Sequence, residues 1–128
     1  MADALFDTTV FIDYHNGDLP AASIVQPVLD GDATAAYSPV STFEIWLGLA
    51  GHREETVFKA LFQVMEEAQL NSDAASLAAT WLRGTSPRRA GATFRDALIA
   101  ATAEIRGEVI VTRNLRDFER FGVRVQPY

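Results

Sequence analysis

The 128-residue sequence predicts an α/β fold: three layers, α/β/α, around a central, mainly parallel sheet of four or five strands. Short apolar runs alternate with stretches of helical period along the chain, the pattern of strands joined by helices into a sheet covered on both faces. Length and composition suit one domain spanning 1–128, since 48% hydrophobic residues suffice for a core and no repeat or low-complexity linker intervenes. Four acids, Asp7, Glu44, Asp96 and Asp117, each lie where an apolar run is ending or a helix is just under way. In an α/β fold such positions converge on one edge of the sheet.

Ala4-Leu5-Phe6 reads as a strand ending at Asp7, and Thr8-Thr9 can cap a helix through Val10-Phe11-Ile12 that Asn16-Gly17 stops. Pro20 opens a helix reaching Asp30, Ala33 to Tyr37 reads as a strand, and Ser38-Pro39 breaks it. Ser41 or Thr42 is expected to cap a helix through Phe43–Leu49. Glu54 to Glu67 carries Val57, Leu61, Val64 and Met65 at helical spacing, and Ser72 caps a helix to Arg83. Gly84 to Thr93, with Arg88 and Arg89, is expected as a basic loop placed to act as a lid or binding segment. A helix from Phe94 to Arg106 ends at Gly107, Glu108 to Thr112 is the clearest strand, and Val123-Arg124-Val125 is the last.

The absence of cysteine excludes disulfides, zinc-thiolate sites and thiol nucleophiles, and allows a reducing cytoplasm. No apolar run approaches the roughly 18 to 20 residues that span a bilayer, and the opening MADALFD is acidic, so a soluble cytoplasmic protein without a membrane partner is expected. A net charge of −6 argues against a generally nucleic-acid-binding surface. The charge is nevertheless divided: residues 1 to 82 carry two basic residues against twelve acids, and residues 83 to 128 carry nine arginines against five. Cations held by the acids would leave the arginines of the second half to meet an anionic ligand.

Each acid has a plain structural account as well as a chemical one. Asp7 can cap the helix that follows it, Asp96 in a first helical turn suits the helix dipole, and Asp117 can cap a short final turn. Glu44 is different. It is the only charge between Asp32 and Arg53, in an otherwise apolar helix, and a carboxylate there is costly without a cation or donor to meet it. Carboxylates with no histidine or cysteine beside them make a hard oxygen site suited to Mg²⁺ or Mn²⁺; His15 and His52 lie at no ligand spacing from the acids.

Taken together the segments resemble a known family. Phe6-Asp7-Thr8-Thr9-Val10-Phe11-Ile12-Asp13 is similar to the opening D-[TS]-[NST]-x-x-[IL] signature of PIN domains, in particular the VapC-type toxin ribonucleases of prokaryotic toxin-antitoxin pairs. Ser41-Thr42-Phe43-Glu44-Ile45-Trp46-Leu47-Gly48 resembles the S-x-x-x-E-[IL]-x-x-G helix, and Asp96-Ala97-Leu98-Ile99-Ala100-Ala101-Thr102-Ala103 the D-x-x-[IL]-A-A-x-A helix. Val111-Thr112-Arg113-Asn114-Leu115-Arg116-Asp117-Phe118 resembles the T-x-N-x-x-[DE]-F segment. Thr9 stands where many relatives have asparagine, and some relatives place their fourth acid at the position of Asn114 rather than of Asp117.

The resemblance implies a PIN-like domain acting as a metal-dependent endoribonuclease. Asp7, Glu44 and Asp96 would hold Mg²⁺ or Mn²⁺ directly or through water, with Asp117 supporting a second position. Thr8, Thr112 and Asn114 would orient those groups, and Arg88, Arg89, Arg95, Arg113 and Arg116 would face RNA. Cleavage would leave a 5′-phosphate and a 3′-hydroxyl. The implied partners are an antitoxin and a second copy of the chain, with Phe43, Trp46, Phe58 and Phe62 supplying apolar surface. A receiver-type phosphoacceptor would need a lysine late in the chain, whereas the sole lysine is Lys59; a haloacid-dehalogenase-type phosphatase would need an aspartate where Thr9 stands. The remaining alternative is a non-catalytic PIN-like interaction module that binds metal weakly.

Overall fold

The computed structural model describes residues 2–128. Strand β1 (Ala4–Phe6) leads into α1 (Thr8–His15) and α2 (Leu19–Leu29), and β2 (Ala35–Tyr37) into α3 (Pro39–Leu47) and α4 (His52–Gln63). Strand β3 (Glu66–Glu67) precedes α5 (Ser72–Leu82) and α6 (Pro87–Arg106), and β4 (Val109–Val111) is followed by α7 (Leu115–Glu119) and β5 (Val125–Gln126). The strands pair in parallel throughout, in the order β3-β2-β1-β4-β5. Parallel neighbours cannot be joined by a tight hairpin, so the crossovers are helical and cover both faces.

Alternate residues of the three inner strands feed the two layers. Phe6, Ala35 and Val111 face a core shared with Val10 and Phe11 of α1, Val25 of α2, Ile45 of α3 and Phe58, Leu61 and Phe62 of α4. Leu5, Ala36 and Ile110 face the opposite core, with Ile99, Ala100 and Ala103 of α6 and Phe118 of α7. The chain leaves β1 into α1 on the first face, whereas it leaves β4 into α7 on the second. Adjacent strands whose exits diverge in this way open a crevice at their carboxyl ends, the usual ligand position of an open α/β sheet.

Several boundaries differ from those expected. Helix α3 is capped by Ser38, whose Oγ accepts from the Val40 N–H at 3.0 Å with Pro39 in the first turn, so Ser41 and Thr42 lie inside the helix and Glu44 is in its second turn. Helix α4 ends at Gln63, and Glu66–Glu67 forms a sheet edge beside β2 instead of a last helical turn; two exposed acids guard that edge against pairing with another chain. The expected basic loop at 84–93 is largely helix. Ser86 caps a 20-residue α6, its Oγ accepting from the Arg89 N–H, and the early turns are polar because most of their side chains face solvent. Asp96 therefore sits in the middle of α6, where a helix dipole does nothing for it. The last strand is Val125–Gln126.

The aromatic surface expected for a partner is mostly core. Phe58 and Phe62 are buried, Trp46 stacks on Phe62 at 5.9 Å between centroids, and Phe62 meets Phe11 edge-on at 5.0 Å. Phe43 is the one that remains outside, 64% exposed, with Leu47 at 77% on the same helix. Among the described residues no helix is long and apolar enough to cross a membrane.

Candidate active site

The residue after each of the three inner strands is polar, and two of these residues build the centre of the crevice. The Asp7 N–H still donates to the carbonyl of Val111 at 3.0 Å, which fixes the end of β1 against β4. Asp7 occupies the cap position of α1, but its carboxylate makes no capping bond. Its Oδ2 instead accepts from the Thr112 hydroxyl at 2.9 Å and the Thr9 hydroxyl at 3.0 Å. The Thr112 oxygen in turn accepts from the Asn114 N–H at 2.9 Å, leaving the Thr112 proton committed to Asp7. Burial pushes the Asp7 carboxyl above the ordinary range, the bonds from Thr112 and Thr9 pull it down, and the Glu44 charge adds to the rise. Thr9 thus supplies a donor to Asp7 from the position where the family pattern often has an amide.

Glu44 is held from both sides. Its Oε1 accepts from Thr8 Oγ1 at 2.9 Å, and Thr8 and Ser41 share a further hydroxyl bond of 2.8 Å. With the Thr8 proton given to Glu44, Ser41 is the donor of that second bond. Oε2 of Glu44 pairs with the Arg95 guanidinium. This ion pair answers the cost of a carboxylate in an apolar helix, and it comes from a residue 51 positions away.

Asp96 carries the largest electrostatic strain of the set. Burial, then the charges of Asp117 and Asp7, push its carboxyl up to about 6, although Arg120 lies 3.5 Å from its Oδ2 and Arg95 is also near. Asp117 is exposed on α7 and is not the cap of that helix; Asn114 holds the cap position, its carbonyl accepting from the Asp117 N–H at 3.1 Å. Asp7, Thr8, Glu44, Asp96, Asn114 and Asp117 line one cleft of about 410 Å³, with Thr112 buried behind Asp7.

The arginines divide. Arg95 lines the cleft, but Arg113 is turned away, donating to buried Asp13 at 2.7 Å, where Tyr128 also donates at 2.6 Å. Arg88, Arg89 and Arg116 are exposed and lie outside the cleft lining. Arg120, absent from the expected set, lines the cleft. Its signal was present in the sequence: three residues after Asp117 on a helical stretch puts it on the same side.

An all-oxygen set in which the charges of Asp117 and Asp7 add to burial in raising the Asp96 carboxyl fits a hard divalent cation. Among the described residues no three carboxylates or imidazoles close round a single point, because Glu44 and Asp96 turn towards arginines. Mg²⁺ and Mn²⁺ sites commonly keep waters and take few protein ligands, so an open set of this kind remains compatible with them.

A parallel α/β/α domain with an acidic crevice at its strand switch point defines the class, and the family follows from comparison. The PIN domain family model matches residues 4–123, and the chain belongs to the PIN domain family. It is 29% identical over 126 residues to Ribonuclease VapC19 of Mycobacterium tuberculosis, covering 97% of this chain and 98% of that protein. Among solved structures it is similar to DNA-bound VapBC from Salmonella typhimurium, with a TM-score of 0.80, 25% identity and 99% and 98% of the two chains covered. VapBC2 from Rickettsia felis, bound to a fragment of its promoter, shares the fold at a TM-score of 0.74 and 18% identity over 97% of both chains.

Proposed function

We propose that the chain is a Mg²⁺- or Mn²⁺-dependent endoribonuclease, the toxin of a toxin-antitoxin pair, acting on cytoplasmic RNA. The single observation that carries the reading is the convergence of Asp7, Glu44, Asp96 and Asp117 on one cleft, with Asp96 pushed up to about 6 by burial and by the neighbouring aspartates. The likeness to Ribonuclease VapC19 and to VapBC complexes supports it.

Asp7, Asp96 and Glu44 would hold the cation, and Asp117 would contribute from the rim. When bound, the cation supplies a water of lowered pKa and charge to meet the phosphodiester oxygens. The chain itself supplies orientation. Thr112 and Thr9 fix the Asp7 carboxylate, Asn114 fixes Thr112, and Thr8 with Ser41 fixes Glu44. Arg95 and Arg120, at the same cleft, attract the phosphates that the acids alone would repel. Breaking the bond to the 3′ oxygen leaves a 5′-phosphate and a 3′-hydroxyl.

The antitoxin would neutralise the site by charge. Glu44 and Asp96 already accept guanidinium partners, so an arginine or lysine from an antitoxin can take the place of metal charge. Beside Glu44, a groove of about 160 Å³ lined by Ile12, Ile45, Leu49 and Phe58 can receive the apolar side chains flanking that residue. A second copy of the chain would cover Phe43 and Leu47.

Asp7→Asn and Asp96→Asn test the reading: each keeps side-chain shape, and cleavage of an RNA substrate in Mg²⁺ or Mn²⁺ should fall by at least about 100-fold with the fold intact. Asp117→Asn should cost less. Cleavage at wild-type rates by both variants, or no cleavage by wild type with either metal, points to a non-catalytic interaction module.

A further inference from the structure

A second cavity, of about 360 Å³, adjoins the acidic cleft. Its lining comes from the end of α5 (Trp81, Leu82), from Thr85, from Arg89 and Thr93 of α6, and from Arg120 and Phe121 at the end of α7. Thr93 and Arg120 line both spaces, so the cavity lies directly beside the site at which the phosphodiester would react. Its volume is within the range of pockets that enclose small organic ligands.

The chemistry of the lining is mixed in a particular way. The Trp81 and Phe121 rings stack on each other, 5.2 Å between centroids and 20° between planes. The Arg120 guanidinium lies 4.9 Å over the Phe121 ring, and its Nε donates to the carbonyl of Asp117 at 3.1 Å. A further nitrogen of Arg120 is 3.5 Å from Asp96 Oδ2, so the guanidinium is held by three groups before any ligand arrives. Arg89, exposed on the first turns of α6, places a second cation at the rim. Phe121 is thus already covered by Trp81 and Arg120, and half-buried Trp81 is the aromatic wall left to the cavity. One fixed ring with two guanidinium groups beside it has what a nucleotide asks for: a stacking partner for the base and donors for the phosphate.

We propose that this cavity is a nucleotide subsite, which receives the nucleotide next to the scissile phosphate. The inference rests on the ribonuclease reading above. The neighbouring phosphate is placed on Arg120 and Arg89 and the base against Trp81. Stacking and phosphate contacts accept any base, so the subsite sets the position of the strand over the carboxylates rather than reading its sequence. It also gives Arg89 a defined role, which the acidic cleft alone does not.

The test uses two probes. Trp46→Phe leaves Trp81 as the sole tryptophan of a chain that has two, and AMP titrated into that variant in EDTA should quench its fluorescence saturably. Thr85→Phe, which fills the cavity, and Arg89→Ala, which removes the rim cation, should each abolish or weaken the quench. With an oligoribonucleotide substrate, both variants should raise KM about tenfold while kcat changes less than about threefold. If Thr85→Phe lowers the melting midpoint, the exposed Arg89→Ala decides. Absence of an AMP effect on Trp81, or a wild-type KM in Arg89→Ala, overturns the subsite. A Thr85→Phe variant that cleaves RNA normally but binds a cognate antitoxin less tightly makes the cavity a peptide site and overturns it as well. If wild type cleaves no RNA, the ribonuclease reading fails by itself, and the AMP titration still decides the cavity.

Discussion

Replacing Asp96 by asparagine should stabilise the metal-free protein while removing its activity. In the fold the Asp96 carboxyl is pushed from 3.8 to about 6, by burial first and then by Asp117 and Asp7. A group whose folded pKa is raised contributes stability below the unfolded pKa and loses it as pH rises through the folded one. Ionised Asp96 therefore opposes folding at neutral pH, and asparagine imitates the protonated form. At 1.36 kcal/mol for each tenfold change in proton affinity, the rise corresponds to a ceiling of about 3 kcal/mol. The side chain is 30% exposed, and solvent screening brings the expected gain to about 1–2 kcal/mol. For a domain of this length that is roughly 3–8 °C in Tm at pH 7. The assay is thermal unfolding of wild type and Asp96→Asn in EDTA from pH 3 to 8. The two midpoints should converge towards pH 3, below the ordinary carboxylate value, separate as pH rises from 3.8 to about 6, and keep a constant gap above that. A variant no more stable than wild type at pH 7 would refute this, and would mean that Arg120 and Arg95 outweigh burial and repulsion at Asp96.

Adding millimolar Mg²⁺ or Mn²⁺ should raise the wild-type midpoint, by the equivalent of about 2.7 kcal/mol at 100-fold excess over the dissociation constant, and should leave Asp96→Asn nearly unmoved; calorimetric titration gives the dissociation constant independently. Thr112→Val removes the buried hydroxyl that donates to Asp7 at 2.9 Å and should cost about 1–3 kcal/mol by chemical denaturation, with cleavage reduced about tenfold and restored by Thr112→Ser. Sedimentation at micromolar concentration should show a dimer that Leu47→Glu dissociates without loss of fold; a wild-type monomer removes the case for Phe43 and Leu47 as an interface.

The sheet and the order of its helices were legible because each inner strand is an apolar run bounded by a cap or a breaker. Asp7 and Thr112 were legible for the same reason: they follow the last apolar residue of β1 and β4. What local pattern could not supply was long-range partnership. The start of α6 is a solvent-facing polar helix whose arginines and glycine imitate a loop, so Asp96 was placed a full two turns too early in its helix. Glu66 and Glu67 carry no strand signature because an edge strand is defined by its neighbour, here β2. The pairing of Arg95 with Glu44, the burial of Phe58 and the stacking of Trp46 on buried Phe62 are likewise tertiary facts. Arg113 reads as a free cation until Asp13 and Tyr128 are seen to close on it.

Asp7 and the hydroxyl that aims it are 105 positions apart, and Asp117 follows beyond that. A nascent polypeptide that has passed Asp7 therefore lacks the acidic cleft until Thr112 and Asp117 have also been made. Translation proceeds at about 5–20 residues per second, so this silent interval lasts on the order of ten seconds. It ends only when β4 can insert beside β1 and bring the two halves of the crevice together. A chain cut before β4 lacks both the Thr112 hydroxyl and the Asp117 carboxylate, and so has no assembled cleft.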